Sequence, residues 1–226
     1  MLEAEKKAKS KTRRIVGRVL TVFAIAFVAT RLFPETLIWP HKATIGDTQI
    51  YSEQPIGREM ASVLAQSDAL LHNSKIYSDG YGKRIFLTDG SWRWKFLALN
   101  LSGAFAQSTH ITEAIVINRS SINANLVRNG SVIGGERKLS SVIAHERTHG
   151  LIRARYGLFA SRFQPVWKRE GYCDYIAGDT SLSATEVAEL EQKGTPHPAI
   201  IYFKGRERVR HILELEGKTV DQLFAD

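Results

Sequence analysis

Apolar positions along the chain fall into three patterns. The first is an unbroken run, IVGRVLTVFAIAFVATRLF from Ile15 to Phe33, whose only charges, Arg18 and Arg31, lie near its ends. The second is helical: after Pro55, apolar residues recur at Met60, Val63, Leu64, Leu70 and Leu71, near the 3.6-residue period, and the pattern closes around Asn73. The third is a pair of short apolar runs that read as strands, RIFLTDG (Arg84 to Gly90) and ITEAIVIN (Ile111 to Asn118), each followed by turn-forming residues.

Helical patterns dominate the remainder. RKLSSVIAHERTHGLIRARYG places Leu139, Val142, Ile143 and Ile152 on a core face and predicts a helix from about Lys138 to Tyr156, stopped by Gly157. A loop over Gly157 to Pro165 and a second helix in PVWKREGYCDYIAG follow. Ser183 and Glu186 have capping-box spacing and open a helix that ends near Gly194. AIIYFKGRERVRHILELEG predicts a long helix ending at Gly217, and Thr219 caps a short one through Phe224. A few strands followed mostly by helices indicates an α+β fold with a small mixed sheet.

Composition then sets limits. With 226 residues, 43% hydrophobic and 24% charged, the chain can bury a sizeable core and lacks the signature of disorder. Its formal charge of +8 is uneven: residues 1–31 carry eight Lys and Arg against Glu3 and Glu5, so residues 32–226 are close to neutral. The basic balance belongs to the tail, KGRERVR (Lys204 to Arg210) reads as a solvated helix face, and no nucleic-acid partner is expected. As a helix, Ile15–Phe33 spans roughly 28 Å, close to the hydrocarbon thickness of a bilayer. Basic residues before it and a near-neutral domain after it predict a cytoplasmic N-terminus and an extracytoplasmic domain.

A cleaved signal peptide is the rival reading, since the uncharged core Val19–Thr30 is only 12 residues long; the chain would then be secreted. No good small-x-small cleavage site follows that core, which favours an uncleaved anchor. The expected organisation is a basic tail at 1–14, a transmembrane anchor at 15–33, a linker at 34–45 and one domain at 46–226. Cys173 is the single cysteine, so no intrachain disulfide can form.

The stretch HERTHG, His145 to Gly150, changes the picture. Four residues on a helix turn 400°, so His145 and His149 project from nearly the same face, close enough to bind one zinc ion. Glu146 lies on the flank of that face, suited to general base rather than ligand. A catalytic zinc site takes three protein ligands and keeps one position open, so another element must supply the third. Glu170 lies 21 residues beyond His149, room enough for a turn and a returning helix. Asp174, four residues later on the same face, suits a hydrogen bond to the free ring nitrogen of a ligand histidine.

HERTH followed by WKREGYCDY resembles the gluzincin metallopeptidases, the thermolysin-like and aminopeptidase N-like enzymes in which a glutamate on a second helix completes the zinc site. Trp167, Glu170, Gly171 and Tyr175 match the W-x-x-E-G-x-x-x-Y form. The resemblance covers about residues 138–216 and implies a helical zincin core of active-site helix, Glu-bearing helix and C-terminal helix. It implies His145, His149 and Glu170 as ligands, Glu146 as base and Asp174 behind them. YFKG, Tyr202 to Gly205, is similar to the Y-E-K-G stretch whose tyrosine supports the oxyanion, which implies that role for Tyr202. In gluzincins the strand before the active helix often forms an edge of the cleft, a part expected here of ITEAIVIN, with an extended peptide added as a strand. The chain has no G-x-M-E-N stretch, so the resemblance implies endopeptidase rather than aminopeptidase activity.

Three residues near these motifs have more ordinary readings. His197, in TPHP, is an alternative oxyanion donor, although an isolated loop histidine is more commonly structural. Cys173 reads as a small buried residue and Tyr156 as core. The functional expectation is a membrane-anchored zinc hydrolase acting on a peptide or protein substrate; the alternative is a catalytically silent zinc-binding module used for partner recognition.

Overall fold

A computed structural model describes residues 2–225, with side chains from Arg13 onward. It divides into two compact units, Met1–Ile38 and Trp39–Asp226. In the first, helix α1 (Leu2–Leu32) is followed by a 3-10 turn at Pro34–Leu37. The stretch Arg13–Leu32, 20 residues, is long and apolar enough to cross a membrane, and none of its residues is buried. The side chains of residues 1–12, in the expected basic tail, lie outside the described residues.

The second unit is α+β. Strands β1 (His41–Ile45) and β2 (Thr48–Ser52) form an antiparallel hairpin, so residues 41–45, assigned above to a linker, are sheet. Helix α2 (Glu59–Leu71) then crosses to β3 (Arg84–Leu87), which runs parallel to β2. After α3 (Trp92–Ala98), strand β4 (Ala106–Ser108) pairs antiparallel with β5 (Ala114–Ile117), and β5 runs parallel to β3. The resulting mixed sheet has the order β1-β2-β3-β5-β4. Ile50, Ile85 and Ile115 stand in register across its three parallel strands, all fully buried. In β3 and β5 nearly every residue is apolar and buried, as strands covered on both faces require. Three further strands, β6 (Ser120–Ser121), β7 (Leu126–Arg128) and β8 (Glu136–Lys138), make a small antiparallel sheet.

Helix α4 (Leu139–Tyr156) has a core on either side. Its Leu139, Val142 and Ile143 pack with Ile50, Ile85, Ile117 and Leu64 from the sheet and α2. Ala144, Leu151 and Ile152 pack with residues of α6 (Val166–Ala177), α8 (Ile200–Arg210) and α9 (Val220–Ala225). Every residue from Leu139 to Thr148 is therefore buried, where the sequence pattern suggested one apolar stripe. Arg147 tolerates this because its guanidinium reaches Asp68 of α2 at 2.5 Å, Thr48 of β2 at 3.2 Å and the Gly82 carbonyl at 3.3 Å.

The remaining helices refine the sequence reading. The segment after Gly157 is not only loop, since it contains the short helix α5 (Leu158–Phe163). The capping box of Ser183 and Glu186 opens α7 (Ala184–Gln192), with both of its reciprocal bonds formed. The long C-terminal helix is α8 followed by a π-helical turn at His211–Leu215.

Two glycines set the spacing of α6 and α8. A Cβ added at Gly171 would meet the backbone carbon of Gly205 at 2.4 Å, and one at Gly205 would meet the Trp167 carbonyl oxygen at 2.3 Å. Both contacts are with backbone, so no side-chain motion relieves them. Gly171→Ala or Gly205→Ala is expected to force the helices apart and cost about 1–3 kcal/mol, read as a lowered urea midpoint.

Asp221 joins α9 to α4: Arg155 donates to it at 3.0 and 2.6 Å, and the Tyr156 hydroxyl at 2.9 Å. These bonds hold the Asp221 carboxyl below its usual pKa. A depressed folded pKa stabilises above the unfolded value, near ~4, and the contribution is lost as pH falls through the folded one. The ring resonances of Phe224, which stacks on Tyr156 with centroids 4.8 Å apart, should therefore shift toward unfolded values below about pH 4. Asp221→Asn should remove this pH dependence.

Candidate metal centre

Helices α4 and α6 bring the predicted residues together. Nε2 of His145 and Nε2 of His149 each lie 3.3 Å from one oxygen of Glu170, Oε2. Two ligands on a tetrahedral ion with bonds near 2.05 Å are separated by about 3.3 Å, so these spacings match edges of that polyhedron. The other nitrogen of each imidazole is also engaged. Nδ1 of His145 donates to Asp174 Oδ1 at 2.7 Å, and Nδ1 of His149 lies 3.4 Å from Cys173 Sγ.

His145, His149 and Cys173 also form a possible donor group, with ligand atoms within 4.8 Å of one another. Glu170 is the better third ligand on physical grounds. The Cys173 sulfur touches the Nδ1 side of His149, opposite the Nε2 that faces Glu170. Burial first, and then the Glu170 and Asp174 carboxylates, push the Cys173 thiol well above its usual pKa, whereas ligation requires the thiolate. Cys173, read from sequence as a packing residue, is fully buried and also supports His149.

Electrostatically this donor set favours positive charge. Burial opposes ionisation of Glu170, but His149 and His145 beside it hold its carboxyl well below the ordinary value. Burial also opposes charge on His145, yet Asp174 and Glu170 outweigh it and raise its pKa to about 10. Asp174 is likewise held low against burial by Arg137 and His145. The ionised Glu170 carboxylate and two imidazole Nε2 atoms facing it, with the Asp174 carboxylate behind His145, suit a divalent cation.

Arg137 was not foreseen. It enters from β8, and its Nη2 lies 2.9 Å from the same Asp174 oxygen that accepts from His145. Nη2 also donates to the Asp179 carbonyl at 2.8 Å. A three-residue strand gives no local signal for such a role.

The centre opens into a cleft of about 610 Å³ lined by His145, Glu146, His149, Glu170, Tyr202 and His197. Glu146 is buried beside the imidazoles. Burial, followed by the Glu170 and Asp174 charges, raises the Tyr202 hydroxyl to about 12, keeping it a neutral donor at ordinary pH. His197 Nδ1 accepts from the Ala199 N–H at 3.2 Å, which gives that ring a local structural contact. Tyr156 is half-buried against Phe224, away from the cleft-lining set.

One expectation is overturned. ITEAIVIN contains β5, which pairs with β3 on one side and β4 on the other, so it has no edge to offer an added strand. The edge is β4, whose Ala106, Gln107 and Ser108 all line the cleft.

Asp174→Ala is expected to leave the buried Arg137 without its closest carboxylate and to cost about 3 kcal/mol of folding stability, as for a broken buried ion pair. Asp174→Asn, which keeps shape and one hydrogen bond, should cost less; thermal melts of both variants check the order. In comparison with protein-family models, curated proteins and solved structures, the chain finds no match.

Proposed function

We propose that the chain is a membrane-anchored zinc metallopeptidase of gluzincin type that cleaves within peptide chains. The observation that carries this reading is the shared Glu170 oxygen, 3.3 Å from both imidazole Nε2 atoms, with Glu146 in the same cleft. His145, His149 and Glu170 would hold the ion. When bound, zinc supplies Lewis acidity toward a water and a substrate carbonyl.

The chain's own residues do the rest. Glu146 accepts a proton from the water that attacks the carbonyl carbon and delivers it to the amine nitrogen as the C–N bond breaks. Tyr202, neutral and on the cleft wall, donates a hydrogen bond to the oxygen that gains charge. Asp174 fixes the His145 tautomer, so that Nε2 is free to ligate. An extended peptide can pair along β4, which favours internal cleavage over cleavage at a free amino terminus. The apolar helix Arg13–Leu32 supports attachment to a membrane, with the basic tail cytoplasmic and the domain outside.

The test uses the full-length protein in detergent with zinc and a peptide library. One zinc per chain and internal cleavage are expected. Glu146→Gln should lower the rate by a factor of about 10²–10⁴ while retaining the metal, and Glu170→Ala should lower zinc stoichiometry. Zinc binding with no cleavage of any peptide points instead to a silent binding module. Absence of zinc binding overturns both readings.

A further inference from the structure

The cleft holds more fixed positive charge than its own carboxylates use. Glu146 and Glu170 are the carboxylates among its described lining residues, whereas Arg137, Arg153, Arg162 and Arg169 all reach it. Three of these arginines have partners. Arg137 is paired with Asp174, Arg153 meets Glu113 through two bonds of 2.9 and 2.5 Å, and Arg169 donates to Glu170 Oε1 at 2.9 Å. Arg162 has no carboxylate within ion-pair distance among the described residues.

Its position is tied to the metal centre. Nη1 of Arg169 donates to the Arg162 backbone carbonyl at 3.4 Å, so the guanidinium that contacts Glu170 also contacts the end of α5. Arg153 lies four residues beyond His149 on α4, on the side of that helix that bears the imidazoles. His110, in the β4–β5 turn, completes this end of the cleft: burial first, then the charges of Arg153, His149 and Arg162, lower its pKa. Glu113, already committed to Arg153, is the further carboxylate that faces it. Arginines of α4, α5 and α6 thus converge on one end of the cleft; Glu113 and Glu170 neutralise Arg153 and Arg169, and the exposed Arg162, with no carboxylate partner among the described residues, suits an anionic ligand group.

We propose that this end of the cleft binds a carboxylate of the peptide, either an acidic side chain or a free C-terminus, with Arg162 as the residue that recognises it. The proposal rests on the reading of the cleft as a peptide site. It names a substrate class, acidic peptides, that the metal ligands alone do not specify.

The experiment measures binding without turnover. Full-length protein carrying Glu146→Gln and loaded with zinc is titrated with end-blocked peptides that differ only by Glu for Gln at one position, and with one neutral peptide in free and amidated C-terminal forms. A Glu peptide, or the free-acid form, is expected to bind about tenfold tighter than its neutral partner, and which pair shows the difference identifies the source of the carboxylate. Arg162→Gln should bring the ratio to within about twofold, and Arg162→Glu should reverse it. Equal affinities within every pair, a preference that survives both substitutions, or no binding of any peptide overturns the inference. Failure of the peptidase reading shows elsewhere, as absence of cleavage when Glu146 is intact.

Discussion

A buried carboxylate needs compensation, and the centre of this domain is arranged around one. Asp174 is fully enclosed, and its Oδ1 takes both the Nδ1 proton of His145 and the guanidinium of Arg137. Moving an unpaired carboxylate from water into such a place costs several kcal/mol. The two hydrogen-bond partners offset that cost only from their observed positions, so β8, α4 and α6 are locked together by one oxygen atom. His145 is thereby oriented with Nε2 toward Glu170, and His149 meets the same carboxylate from one turn away.

Around this anchor, the packing explains residue types that chemistry does not. Gly171 and Gly205 lie in the two stretches that resemble gluzincin motifs, yet neither has a side chain to contribute. They are required because the backbones of α6 and α8 approach too closely for a Cβ. That approach carries Tyr202 to the cleft wall on which Glu170 lies. Glycine here sets the distance between the helices that carry Glu170 and Tyr202, the proposed ligand and the proposed oxyanion donor.

Much of the centre was legible because its signals are local. His145, Glu146 and His149 share one helix, Glu170 and Asp174 share the next, and helical periodicity alone predicts which of them converge. What was not legible depends on tertiary pairing. Strands of two or three residues, β4 and β6 to β8, carry too little pattern to register, so Arg137 and the cleft's true edge escaped notice. ITEAIVIN did hold a usable clue: an edge strand alternates, whereas its Ala114–Ile117 is apolar throughout and buried throughout, the mark of an interior strand. Residues 41–45 were lost to a linker because their alternation of half-buried and exposed positions is weak.

The residues that line this cleft come from positions as far apart in sequence as Arg137 and Tyr202, and each reaches its place only after a different helix or strand has docked. Such a centre cannot assemble piecemeal. A chain still emerging from synthesis holds its imidazoles on an unsupported helix, without the carboxylates that aim them, until long-range closure is complete.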